Sequence, residues 1–175
     1  MIGKPMQDAI NEQIREEVES AYLYLSMVGY FESSGWEGMA HWMTVQAQEE
    51  MGHAMRLFQH LVERGGRVKL YAIAEPKEAW DSPLDAFRAA YAHEQHITGK
   101  IAELAKLASH ENDRAAEIML QWFVTEQVEE EANASRIVDL LGRIGDHGPG
   151  LVMIDRELSA RPTVGVGATD GSAAT

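Results

Sequence analysis

The chain has 175 residues, 45% of them hydrophobic, and sets 28 acidic side chains against 15 basic ones for a formal charge of −13. That length suits one domain with a full core and is short for two, while the negative balance disfavours phosphate backbones and anionic lipid, so cations are the expected partners, with no nucleic acid and no membrane. Cysteine is absent, which excludes disulfide scaffolds, thiolate metal sites and cysteine nucleophiles and leaves oxygen and nitrogen as metal ligands.

Met1-Ile2-Gly3-Lys4-Pro5 lacks the apolar core of a signal peptide, and no run approaches the roughly 18 apolar residues of a membrane span, so a cytoplasmic protein is expected. From Met6 to Ser33, apolar residues recur at spacings of three and four through Ile10, Ile14, Ala21, Tyr24, Val28 and Phe31, the pattern of a bundle helix, with Glu17 inside the stripe. Ser33-Ser34-Gly35 then leaves little room before the next helix, which predicts an antiparallel hairpin. The second helix, Trp36 to about Arg64, carries Met39, Met43, Gln46, Glu50, His53, Leu57 and His60 on its stripe and stops at Gly65-Gly66. Glu50 and His53 are one turn apart on one face, so a carboxylate oxygen and a ring nitrogen can close on one metal ion.

Residues 65 to 81 break the helical pattern, with Pro76 inside them. A helix of about 28 residues is about 42 Å long, and some 17 linker residues at about 3.3 Å each can run back along it, leaving the third helix parallel to the second. Ser82-Pro83-Leu84-Asp85 opens that helix with a serine cap and a proline in the first turn, and its stripe of Phe87, Ala90, Glu94, Ile97, Ile101, Leu104 and Ala108 contains one charge, Glu94. With Asn112 as the expected cap, a fourth helix runs to about Gly145 through Met119, Phe123, Glu126, Glu130, Asn133, Ile137, Leu140 and Ile144. Residues 150–159 are read as a short fifth helix, and 161–175, rich in Gly, Ala and Thr, as a disordered tail to a single domain over 1–160.

Four long helices with one long connection specify an all-α four-helix bundle with a short fifth helix. Counted from the turn at Gly35, Glu17 lies 18 residues before and Glu50 15 after; counted from Glu111, Glu94 lies 17 before and Glu130 19 after. The four carboxylates therefore fall at nearly one depth. Buried together they repel and lose hydration, at several kcal/mol for each uncompensated ion. Two divalent cations cancel four negative charges, and His53 adds one nitrogen ligand.

These residues resemble the non-haem bacterial ferritins, within the ferritin-like di-iron carboxylate class, whose inward Glu and Glu-x-x-His pattern is a known example of bundle-core metal sites. The resemblance runs from about Lys4 to Leu158 and rests on Asn11-Glu12-Gln13 through Glu17, Ala47-Gln48-Glu49-Glu50-Met51 with His53, His93-Glu94-Gln95, and Gln121-Trp122-Phe123 followed by Glu126-Gln127-Val128-Glu129-Glu130. It implies two irons per subunit, one held by Glu17, Glu50 and His53, with Glu50 bridging to a second held by Glu94 and Glu130, and Gln127 beside the pair. Glu49, Glu126 and Glu129 match the positions of a third iron site, and a solvated acidic face is the other reading of them. Gln46 stands where close relatives often have histidine. Tyr24 resembles the tyrosine that hydrogen-bonds near the pair and supplies an electron, Trp122 is a second candidate, and a packed core residue with a satisfied polar tip is the alternative for both.

Met51 matches the haem-ligating methionine of bacterioferritins, but Gln127-x-x-Glu130 replaces their second Glu-x-x-His, so haem is not expected. The implied activity is oxidation of Fe(II) by dioxygen or hydrogen peroxide, with Fe(III) stored as mineral in a hollow shell of twenty-four subunits. The fifth helix would line four-fold axes, and Glu111, Asp113 and Glu117 would lie near three-fold channels. A di-iron reductase, oxygenase or rubrerythrin-type peroxidase is the competing enzyme class, and a structural dodecamer with an intersubunit metal site the competing non-enzyme.

Overall fold

The structure, a computed structural model, describes residues 1–163. Five helices form in chain order: α1 Lys4–Ser33, α2 Glu37–Glu63, α3 Pro83–His110, α4 Arg114–Ile144 and α5 Gly148–Leu158, with no strand among the described residues. None of these helices is long and apolar enough to cross a membrane.

The first four pair as two antiparallel hairpins. Gly35 sits at φ +77°, which lets the chain reverse between α1 and α2 within three residues. Between α3 and α4 the work is divided differently from the expectation. Asn112, at φ +55°, ends α3 in the left-handed region that Asn tolerates, and Asp113 caps α4, its carboxylate accepting from the Ala116 N–H at 3.1 Å. Asn112 was the expected cap. Either side chain can do that job, but one of the two residues must first take the positive φ.

The crossover from Gly65 to Asp81 runs beside α1 and is pinned along it. Gln7 accepts from the Arg67 N–H at 2.9 Å, Asn11 accepts from the Lys69 N–H at 2.7 Å and donates to the Arg67 carbonyl, and Ser26 donates to the Lys77 carbonyl at 2.7 Å. The connection thus returns along the length of the bundle, and α3 descends parallel to α2 as the linker arithmetic allows.

Two apolar clusters fill the two ends. One joins Phe31, Met39, Met43, Phe87, Ile137 and Leu141 to Ile154 and Leu158 of α5. The other joins Met6, Ile10, Leu57, Leu61, Ile101, Leu104 and Leu120. Between them lies a buried polar layer. The α5 helix is fastened to the start of α2, where Asp155 Oδ1 accepts from the free Met39 N–H at 2.9 Å and supplies the cap that Trp36 cannot. The approach is so close that a Cβ on Gly38 would fall 1.7 Å from the Asp155 carbonyl oxygen. Arg161, the first residue of the expected tail, lies against α2, and residues 164–175 of that expectation fall outside the described residues.

The buried face of α4 is shifted by one position from the expected stripe. Leu120, Gln127, Ala134 and Leu141 are buried where Met119, Glu126, Asn133 and Leu140 were expected, while Phe123, Glu130 and Ile137 hold. Apolar residues at both 119/120 and 140/141 make the two frames equally apolar at their ends, so periodicity alone does not choose between them. As a result α4 brings one carboxylate and one amide into the core, in place of two carboxylates.

Candidate metal centre

The polar layer is assembled from α1, α2, α3 and α4, and each contributes from the middle of its length. Glu17, Glu50, Glu94 and Glu130 are all buried, with relative exposures of 0, 2, 2 and 6%, although α2 also supplies His53 and α4 also supplies Gln127. Ile14 and Tyr24 bracket Glu17 on α1, and Phe123 and Ile137 bracket Glu130 on α4, so the charges lie on the stripe that buries the apolar residues above and below.

Glu17, Glu50 and His53 come together. Each offers one ligand atom, and these atoms lie within 4.8 Å of one another. His53 Nδ1 is 3.2 Å from Glu50 Oε2, and Gln13 donates to Glu17 Oε1 at 2.9 Å. The second oxygen of Glu17 is buried without a hydrogen-bond partner among the described residues. An unpaired buried carboxylate oxygen is costly, and a cation removes the cost. Oxygen and imidazole donors without thiolate suit first-row divalent ions, so the residues fit iron.

Glu94 and Glu130 lie opposite and are held by neutral groups. Tyr24 donates its phenol proton to Glu94 Oε1, and Gln127 donates to Glu94 Oε2 and to its carbonyl, each at 3.3 Å. Gln46 joins the two sides through its amide nitrogen, which donates to Glu50 Oε1 at 3.1 Å and to Glu130 Oε2 at 2.8 Å.

Proton affinities follow from this crowding. Burial, then the charge of Glu50, pushes Glu17 up to about 8. Burial and Glu50 likewise push Glu130 up to about 7, and burial with the charges of Glu50 and Glu130 raises Glu94 well above the carboxylate range. Burial alone would also raise Glu50, but the hydrogen bonds and charge of His53 outweigh it and hold Glu50 low. Burial would lower His53, yet Glu50, Glu17 and Glu130 raise it to about 9. Glu50 is therefore the resident anion and His53 the resident cation, and the other carboxyls keep protons that a metal can displace.

The three candidates for a further metal position are less united. Glu49 is half-buried and repelled by Glu126, and it is salt-bridged to Arg161. Glu126 and Glu129 have no hydrogen-bond or salt-bridge partner among the described residues, and Glu129 is exposed. Trp122 packs edge-on to His53 with ring centroids 5.4 Å apart, and its face is covered by Arg56, whose Cζ lies 4.1 Å from the indole centroid. Of the acids near the α3/α4 turn, Asp113 is taken by its cap and by Arg64 at 2.7 Å, and Glu117 by Arg114 at 2.7 Å. Sequence reasoning missed Arg161 and Gln13. Gln13 carried a signal, since it lies one turn from Glu17, whereas Arg161 follows the last helix with nothing periodic to mark it.

Comparison with known proteins agrees with this geometry. Residues 7–144 match the Ferritin-like domain family. The bacterial non-haem ferritin of Bacteroides fragilis is 45% identical over 161 residues, covering 92% of this chain and all of the relative, and that of Staphylococcus saprophyticus is 36% identical over 92% of this chain and 96% of its own. Among solved structures, an open pore ferritin from the hyperthermophilic archaeon Archaeoglobus fulgidus superposes with a TM-score of 0.92 at 52% identity, covering 93% of this chain and all of that one. With five helices among its described residues, its buried Glu17, Glu50 and His53 group and these relatives, the chain belongs to the ferritins, the iron-storage family, in its bacterial non-haem branch.

Proposed function

We propose that the protein is a ferroxidase as well as a store: it takes two Fe(II) per subunit into the buried layer, passes their electrons to dioxygen or hydrogen peroxide, and releases Fe(III) to a mineral. The observation that carries this reading is the Glu17, Glu50 and His53 group with its unpaired oxygen, facing Glu94 and Glu130 across one core layer. In this reading Glu17, Glu50 and His53 hold one iron, Glu50 bridges, and Glu94 and Glu130 hold the other. Gln127 orients Glu94 through its amide. Oxygen donors favour the harder ferric ion, so the ligand set itself promotes oxidation. Two Fe(II) surrender two electrons, the number that takes dioxygen and two protons to hydrogen peroxide, or peroxide and two protons to water. Protons displaced from Glu17, Glu130 and His53 by the incoming metal are available for that step.

Tyr24 is the better placed of the two aromatic electron donors. Its phenol already hydrogen-bonds Glu94, which, once the incoming metal has displaced its own proton, can receive the phenol proton as the electron leaves. Trp122 lies under the Arg56 guanidinium, and a positive charge on its face opposes formation of an indole cation.

One ferritin-like domain over 1–160 and a twenty-four-subunit shell in the cytoplasm complete the proposal, since storage needs a cavity that one bundle lacks. Exposed apolar side chains at helical spacing, Tyr22 and Leu25 on α1 and Met51 and Met55 on α2, support extensive contact between copies. Glu50→Ala is the direct test. Stopped-flow oxidation of Fe(II) by the assembled variant should lose the fast phase by about 100-fold or more, with its elution volume unchanged; a wild-type initial rate would refute the bridging role.

A further inference from the structure

Arg161 approaches the site from beyond α5. Its guanidinium rests on the face of Trp42, with Cζ 4.4 Å from the ring centroid, and reaches three oxygen atoms on α2. One is Glu49 Oε2, in a salt bridge from Nη2; the others are Gln46 Oε1 at 2.9 Å and the Trp42 carbonyl at 3.2 Å, both from Nη1. The Arg161 carbonyl is fixed in turn by His41 Nε2 at 2.8 Å. Arg161 and Glu49 are mostly covered, with side-chain exposures of 16 and 27%.

Three convergent oxygens, one of them anionic, make a cradle for a hard cation. Here the chain's own guanidinium fills it. We propose that Arg161 is a tethered counter-ion that holds the cradle of Glu49, Gln46 and the Trp42 carbonyl closed to a third metal ion and so limits each subunit to two.

A second consequence concerns Gln46. An amide can turn either end toward a neighbour, and its orientation is set by what each end meets. Arg161 is a donor with no acceptor, so Gln46 must offer it the oxygen. The nitrogen is thereby turned toward Glu50 and Glu130, to which it donates at 3.1 and 2.8 Å. Arg161 is thus a positioning residue for two carboxylates that it does not touch. When Arg161 withdraws, the same two side-chain oxygens, Glu49 Oε2 and Gln46 Oε1, become free for a metal.

This inference rests on the proposed dinuclear reading, and the two can fail separately. Zn(II), which binds such ligands without oxidation, is titrated into the intact, chelator-stripped assembly by calorimetry, with bound zinc counted after dialysis. The wild type should take two ions per subunit. Arg161→Ala should take three, and the double variant Arg161→Ala with Glu49→Gln should return to two. Arg161→Gln keeps an aliphatic stem on Trp42 and should reproduce the gain if the alanine variant packs poorly. The cradle is scored by the ion that appears with the loss of Arg161 and disappears with the loss of the Glu49 charge. That difference is independent of whether the first pair binds. Equal zinc counts in wild type and both Arg161 variants would overturn the proposal, as would three ions in the wild type. A wild type that fails to take the first pair would count against the dinuclear reading alone.

Discussion

On the α1/α2 side of the buried layer, Glu17, Glu50 and His53 bring one ligand atom each to within 4.8 Å of the others and leave one Glu17 oxygen without a partner among the described residues. On the α3/α4 side, Glu94 is tied by a phenol and an amide, and Glu130 by the Gln46 amide. The carboxylates on the two sides are similarly buried but differently satisfied. The first side therefore stands as an anion and cation pair beside a proton-holding acid, awaiting a metal, while the second is stable without one. An empty site whose halves differ in this way should bind its first divalent ion at Glu17, Glu50 and His53.

The largest expected effect tests that asymmetry through pH. Glu17 is raised from 4.5 to about 8, Glu130 from 4.5 to about 7 and His53 from 6.5 to about 9, so in each case the folded chain holds protons the unfolded chain has lost. Stability falls as pH rises wherever the folded state binds more protons. The metal-free protein should therefore weaken steadily as pH rises from about 4.5 to 9. Glu50 has the opposite sign, since its lowered value contributes stability that is lost as pH falls below its ordinary range. Melting in chelator at pH 5 and 8 checks this: Tm should drop with pH, Zn(II) should restore it, and Glu17→Gln should flatten the dependence. A Tm in chelator that rises from pH 5 to 8 would show that burial does not hold those protons.

Tyr24→Phe probes the other side. Removing the phenol leaves Glu94 Oε1 unpaired in the core, which costs about 1–3 kcal/mol in the metal-free protein. A bound cation would take over that oxygen, so the loss of Tm should shrink when Zn(II) is present. Equal losses with and without metal would mean that Glu94 does not meet the ion.

The contrast between the halves was only partly legible in the sequence. Glu17, Glu50, His53, Glu94 and Glu130 could be placed at one depth because helix rise is constant and the turns at Gly35 and Glu111 fix the count. Which oxygens find partners was not legible, because it depends on contacts between helices: Tyr24 with Glu94 spans 70 positions and Gln46 with Glu130 spans 84. The one-position shift on α4 had the same origin, since apolar residues stand on both sides of the choice and packing against α3 decides it. Arg161 opens a stretch rich in Gly, Ala and Thr, and composition gives no sign that one residue of such a stretch folds back onto α2.

Gln127→Leu should give the smallest effect and decides how much of the α3/α4 side depends on amides. The side chains have similar volume, so cavity terms are small, and what disappears is one donor shared among Glu94 Oε2, the Glu94 carbonyl and Thr98 Oγ1, each at 3.3 Å. These are long contacts, at the weak end of hydrogen bonding. Thr98 keeps its bond to Glu131 at 2.5 Å, and the Glu94 carbonyl sits mid-helix, so Glu94 Oε2 bears most of the loss. The expected cost is about 0.5–1.5 kcal/mol, less than for Tyr24→Phe. Metal binding at the second position should weaken by less than about 10-fold, the low end for a residue that supports a ligand. If Gln127→Leu instead costs more than Tyr24→Phe, the amide is the principal restraint on Glu94. The second metal would then be governed by α4, and the phenol would be free to serve chiefly as the electron donor.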